Sequence, residues 1–231
     1  MDFILTGFGK ALQLLLHGDG ETYAAILATV RAALYSMTAS LLLGIPLGYG
    51  LGFFQFSGRR TIRTIVDTLL ALPTVFVGLL VYAFLSQRGP LGNLGLLFSL
   101  EGIAIGQTIL ALPIVIALTA AAVESLDPAL GPTLISLGAS KCQLFFSSIS
   151  EARTGILIAA ITASGRVLTE VGISMMVGGN IKWHTRTITT AIALETNKGQ
   201  FAMGIALGMV LLAMAFGINL SVSFLRRRRQ W

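Results

Sequence analysis

The chain reads as five long apolar stretches separated by short polar ones. Near-continuous hydrophobic character covers 24–54, 64–86, 102–123, 154–177 and 201–225. Each stretch supplies the about 20 residues of helix that a ~30 Å hydrocarbon layer requires. In lipid, backbone polar groups are satisfied only in helices or closed barrels. The period-two alternation of barrel strands is absent from this sequence, so the pattern predicts an all-α polytopic bundle. A further apolar run at 3–16 carries Lys10 and is too short to cross. It predicts an interfacial helix within an N-terminal segment 1–20, with a tilted extra span as the alternative.

Composition agrees with a bilayer as solvent. Of the 231 residues 55% are hydrophobic and 11% charged, against about 25% charged in soluble domains. A net charge of +6 would by itself admit nucleic acid as a partner, but the basic residues cluster between the spans, which is how membrane proteins fix their orientation. With five spans, Arg59, Arg60, Arg63, Lys141, Arg153 and Arg226–Arg229 fall on one side, and Lys10, Arg88, Lys182, Arg186 and Lys198 on the other. Nine against five predicts one inner-membrane unit over 1–231 with its N-terminus outside and its C-terminus cytoplasmic. Met1-Asp2-Phe3 offers no basic n-region, so no signal peptide is expected.

Two polar segments interrupt the spans at unusual length. The cytoplasmic loop 124–153 places Asp127-Pro128, a helix-start signal, ahead of Leu130, Leu134, Leu137 and Phe145. This spacing predicts two short amphipathic helices broken at Gly138, either a docking knob or a plain connector with amphipathic edges. The external loop 178–200 gathers Lys182, Trp183, His184, Arg186, Thr187, Thr189 and Thr190. Basic side chains and hydroxyls on the external side predict a docking surface or outer gate that attracts anions, with interfacial anchoring by Trp183 as the other reading. Thr185 and Ser164 are candidate hydroxyl donors to such an anion.

Inside the spans, Arg166 and Glu170 lie one helical turn apart. Ionisable residues in a membrane usually face the bundle interior or a cavity, so the two are either a gate element or a structural ion pair. The structural role is preferred, because a paired arginine is partly neutralised as an anion ligand. Pro46, Pro73 and Pro113 lie within spans, beside Gly44, Gly48, Gly50 and Gly52. They can bend helices around a pathway. Arg31 can snorkel, Gly204 and Gly208 permit a close helix contact, and Arg226–Arg229 suits topology and anionic lipid. The single cysteine, Cys142, excludes an internal disulfide, and His17 and His184 both fall outside the spans. No H-E-x-x-H run or G-x-x-x-x-G-K-[ST] loop occurs, so the chain is expected to have no catalytic residues, metal or cofactor of its own. A secondary carrier or channel is the competing class, although the long structured loop has no evident purpose there.

Several motifs resemble a known family. Ser136-Leu137-Gly138-Ala139-Ser140, following a third span and Leu-Asp-Pro, resembles the cytoplasmic coupling loop of ABC importer permeases, although Pro132-Thr133-Leu134 and Ser150-Glu151 depart from that pattern. Gly44-Ile45-Pro46-Leu47-Gly48 and Ala71-Leu72-Pro73-Thr74-Val75 are similar to segments of the same permeases. Gly165-Arg166 with Glu170-Val171-Gly172 resembles the signature of the molybdate and tungstate branch. Gly89-Pro90-Leu91-Gly92, Ile105-Gly106-Gln107-Thr108, Met175-Met176-Val177-Gly178-Gly179-Asn180 and Thr185–Glu195 resemble tungstate permeases closely. The resemblance implies a type I importer permease moving tungstate, or molybdate, by alternating access. It further implies a homodimer, an ATPase dimer holding ATP and Mg in partner chains, and an external oxyanion-binding protein. ATPase coupling would fall on Leu137, Gly138, Ala139 and Ser140, and the gate or path on Arg166, Glu170, Ser164, Pro73 and Pro113.

Overall fold

The computed structural model describes residues 2–227, so Arg228 and Arg229 of the basic tail lie outside the described residues. All regular structure among the described residues is helical. In chain order the helices are α1 (Asp2–Leu16), α2 (Gly20–Phe53), α3 (Arg59–Leu69), α4 (Thr74–Leu85) and α5 (Leu100–Glu124), followed by α6 (Leu130–Ser136), α7 (Lys141–Glu151), α8 (Arg153–Leu168), α9 (Gly172–Gly178), α10 (Ile188–Asn197) and α11 (Phe201–Arg227).

The bundle is organised on α2 and α5, which run parallel. Side-chain volume decides how closely they approach. A Cβ on Gly44 would lie 2.7 Å from Val115 Cγ1, one on Gly48 2.7 Å from Thr119 Cβ, and one on Gly52 2.6 Å from the Ala120 carbonyl oxygen. Glycine at every fourth position thus opens a flat stripe on α2 for α5, the small-residue packing that replaces hydrophobic force between helices in lipid. Gly50 points into open space and takes no part. Pro46 and Pro113 stay inside continuous α2 and α5, where neighbouring helices make such positions tolerable.

Two predicted spans are not single helices. The stretch 64–86 divides into α3 and α4, whose axes meet at 97°. Pro73 is the N-cap of α4 rather than an interior kink, because a proline pushes the residue before it out of helical conformation. The stretch 154–177 divides into α8 and α9 at 169–171, and α8 also meets α7 at 68°. Both α8 and α9 run antiparallel to α5: a Cβ on Gly155 would meet Ala122 Cβ, and one on Gly106 would lie 2.5 Å from Ile173 Cγ2. On its other side Ile173, fully buried, has its Cα 3.3 Å from a Cβ built on Gly78 of α4.

The two ends of the bundle are fastened by charge. At one end Arg59 donates to the carbonyls of Leu51 and Gly52 and pairs with Glu124 at 2.7 Å, while Arg63 reaches the same carboxylate at 3.4 Å. At the other end Glu21, in the first turn of α2, pairs with Lys182 at 2.7 Å and with Arg186. This separation puts the loops 55–63 and 124–153 at one end and 178–200 at the other, as the predicted topology requires. Two further features go beyond the sequence reading. The external loop 178–200 contains the ten-residue helix α10. The N-terminal helix packs along α11, with Gly7 against Ile205 and Ala202, a contact that an interfacial helix and a tilted span both allow.

Candidate functional site

The loop 124–153 folds as two helices joined through Gly138. At the end of α6, Gly138 N–H donates to Ile135 O at 2.9 Å and Ala139 N–H to Leu134 O at 3.0 Å. This 6→1 and 5→2 pair ends a helix on a left-handed residue, and Gly138 has φ +82°. Two residues later Ser140 starts α7 with a capping box: its hydroxyl accepts Gln143 N–H at 3.3 Å, and Gln143 Oε1 accepts Ser140 N–H at 2.8 Å. Stop and start signals within three residues make a rigid corner. Phe145 holds that corner to the bundle, its ring edge-on to Tyr49 at 4.9 Å, while Tyr49 stacks on Phe53 at 5.0 Å. Leu137 is left 77% exposed, with Ile135 and Phe146 also uncovered. The four residues Leu137–Ser140 therefore form a projecting apolar tip on an anchored base, and Cys142 lies exposed beside it.

A second arrangement lies deep in the bundle, where the two helix breaks meet. Gly172 brings them together: a Cβ there would lie 3.3 Å from Glu170 Oε1 and 3.3 Å from Thr74 Oγ1. Glu170 is 2% exposed. Its Oε1 accepts Ile173 N–H at 3.0 Å, and its Oε2 pairs with Arg166 Nη1 at 3.3 Å. The Glu170 carbonyl accepts the hydroxyls of Thr189, from α10, at 2.9 Å and of Ser174 at 3.4 Å. Arg166, by contrast, is 39% exposed. The sequence places the pair on one continuous helix; the structure places Arg166 in the last turn of α8 and Glu170 in the break, where its carboxylate also serves α9. Pro73 and Thr74 border this crossing from α4, and Pro113 is buried within α5.

The hydroxyls proposed as oxyanion donors are engaged elsewhere. Ser164 donates to Ala160 O at 2.7 Å. Thr185 is buried, donates to Gly178 O and accepts Ile181 N–H. Thr187, Thr189 and Thr190 are buried too, the first and last forming the cap of α10. Lys182 and Arg186 do not stand free either. Both hold Glu21, and Arg186 Nε also donates to Asn180 Oδ1 at 3.2 Å. Only His184 of the three predicted external residues is an exposed side chain outside this network. The reason is electrostatic: Asp19-Gly20-Glu21-Thr22, where Asp19 caps α2 by accepting Thr22 N–H at 2.7 Å, puts acids beside the cations of the loop. Glu21→Gln is expected to speed hydrogen exchange across 180–187 by severalfold without unfolding the bundle, since exposed ion pairs contribute about 0.2–1 kcal/mol each. Unchanged exchange there would show that the loop's own hydrogen bonds suffice.

The chain is similar to known proteins along nearly its whole length. The model of the family described as binding-protein-dependent transport system inner membrane component matches residues 44–231. A tungstate uptake system permease from Campylobacter jejuni is 48% identical over 98% of this chain and 95% of its own length. Another from Peptoclostridium acidaminophilum is 36% identical over 95% of this chain and 96% of its own. Among solved structures, a chain of a bacterial alginate ABC transporter, in complex with a periplasmic protein bound to alginate pentasaccharide, superposes with a TM-score of 0.76. It covers 93% of this chain and 81% of that one at 21% identity, a likeness of fold.

Proposed function

Because this chain belongs to the family of binding-protein-dependent transport system inner membrane components, we propose that it is the membrane-spanning permease of an ABC importer that carries tungstate into the cytoplasm. The observation that carries this reading is the near-full-length identity to two permeases named for tungstate uptake. The working unit is two copies of this chain, an ATPase dimer that binds ATP and Mg, and an external binding protein that delivers the anion. The tip at Leu137, Gly138, Ala139 and Ser140 faces the cytoplasm and seats in the ATPase. The loop 178–200 receives the binding protein, and the tungstate path runs past the crossing of the two helix breaks. Broken helices beside a binding path are a recurring transporter device, since irregular backbone in the membrane is tolerated only where protein or a cavity covers it.

The decisive experiment is uptake by the reconstituted complex with its own binding protein. ATP-dependent tungstate accumulation is expected, with molybdate as the competitor that ranks the two oxyanions. Accumulation without ATP would instead make the chain a secondary carrier. Orientation is checked separately, in a Cys142→Ala background. Ser57→Cys is expected to be shielded from an impermeant thiol reagent outside intact cells, and Asn197→Cys to be labelled. The reverse pattern would put the coupling tip on the wrong side.

A further inference from the structure

Arg31 has no part in either arrangement described above. It lies within α2, is exposed, and makes no hydrogen bond or ion pair among the described residues. Its surroundings on the helix are carbon. Leu27, Leu34, Tyr35 and Leu42 recur at helical spacing on the same face, each at least 49% exposed. The other side of α2 over this stretch, from Ala28 and Thr29 through Ala32 and Ala33 to Ser36 and Met37, is buried. A free guanidinium thus stands in an uncovered apolar stripe. The backbone of this stretch can face hydrocarbon, because the helix is continuous here and its proline, Pro46, lies about four turns further on. The 34 residues of α2 make a helix about 51 Å long. Centred on a ~30 Å hydrocarbon layer, that helix puts Arg31 about 6 Å inside the boundary at the end that carries Glu21. Helical side chains lean toward the helix N-terminus, which for Arg31 is the way out to the headgroups.

We propose that Arg31 holds the phosphate of an anionic phospholipid in the leaflet at the Glu21 end. The aliphatic stem of Arg31 runs outward past Leu27, and the acyl chains of the lipid run inward along Leu34, Tyr35 and Leu42. A charge at this depth is costly unless it reaches the interface or an anion. A phosphodiester meets that need, accepting guanidinium N–H groups by charge-assisted hydrogen bonds. A free ion would answer the charge and leave the leucines uncovered; a lipid answers both. Net negative charge on the lipid is favoured, since the phosphate of a zwitterionic lipid already has its own cation. The inference rests on the chain spanning a membrane and is independent of which anion it imports.

The test uses the full-length chain with its copurifying subunits, and native mass spectrometry to count phosphatidylglycerol retained in competition with phosphatidylcholine. Preferential retention of phosphatidylglycerol is expected. Arg31→Gln should weaken it about fivefold, the effect of one basic residue near an anionic surface. Arg31→Lys, whose ammonium also reaches the headgroups, should keep most of it. Arg31 has no partner to strand, so assembly and tungstate uptake are expected to survive the glutamine change. A double change, Leu34→Ser with Leu42→Ser, should lower retention with Arg31 still in place, which a bare ion site would not show. Equal retention by the native chain and Arg31→Gln overturns the proposal, as does displacement of the lipid by inorganic phosphate alone. Separation of assembled copies in Arg31→Gln would overturn it too, giving the face to a second copy through a carboxylate such as Glu101, exposed in the first turn of α5. Lost uptake at unchanged retention would instead place Arg31 on the anion path. Tungstate uptake by the native chain tests the transport assignment separately, so the two can fail independently.

Discussion

Gly138→Val is expected to abolish ATP-driven uptake, and the stimulated ATP hydrolysis that accompanies it, while the chain still inserts and assembles. The cause is conformational. No heavy atom lies within 4 Å of a Cβ built on Gly138, so space is not the obstacle. The backbone is: φ is +82°, a region that costs an L-residue roughly 1–2 kcal/mol and is a true outlier for a β-branched one. Valine would escape by rotating the corner, which ends the hydrogen bonds to Ile135 and Leu134 and re-aims Leu137 relative to α7. Because α7 is fixed to α2 through Phe145, the distortion falls on the tip and not on the membrane-embedded helices. Gly138→Asn makes the internal control, since asparagine enters the left-handed region more readily; it should keep a substantial part of the activity. Full uptake by the valine variant would remove the tip from the coupling mechanism.

The second large effect concerns Arg166 and Glu170, whose unequal burial makes the two single changes unequal. Arg166→Ala leaves a carboxylate that is 2% exposed without its cation. Breaking a fully buried pair costs about 3–5 kcal/mol, and the partial exposure of Arg166 lowers that figure. A marked fall in assembled complex follows. Glu170→Gln is milder, because its amide oxygen can still accept Ile173 N–H and the released Arg166 reaches solvent. Combining the two should restore much of the yield lost in Arg166→Ala, provided that neither change adds a new contact. Assembly is scored by gel filtration and transport by uptake. If Arg166→Ala assembles normally and transports nothing, with no recovery in the double variant, Arg166 acts on the passing anion and the structural role fails.

The sequence carried the apolar lengths, the parity of the loops and the corner at Gly138, because each is encoded locally: in runs of apolar residues, in counts of arginine and lysine, and in a glycine between two amphipathic turns. The helix break at 70–73 also has a local signal in Leu72-Pro73: within a long apolar run a proline suggests a kink, and here it marks a boundary. The break at 169–171 had almost none. It exists because Glu170 finds the Ile173 N–H, Arg166 and Thr189 at once, and those partners converge only in three dimensions. Pairing likewise decided the fate of the external cations. Lys182 and Arg186 look free in a list of residues, and the acid that holds them is Glu21, more than 150 positions away. Thr74, which borders the crossing, became visible only when Gly172 set the two breaks side by side.

The closeness of α9 to both α4 and α5 has a consequence for the membrane as an insulator. Ile173 fits against Gly78 on one side and Gly106 on the other, at separations that leave no space for even one water molecule, and Val77, Val81, Val177 and Leu110 continue the same cluster. A proton needs a file of water or titratable groups to cross; Glu170 touches one end of the seam through the Ile173 N–H, and the apolar cluster beyond it supplies neither. In this packing the seam stays dry, and a membrane potential is not discharged through it.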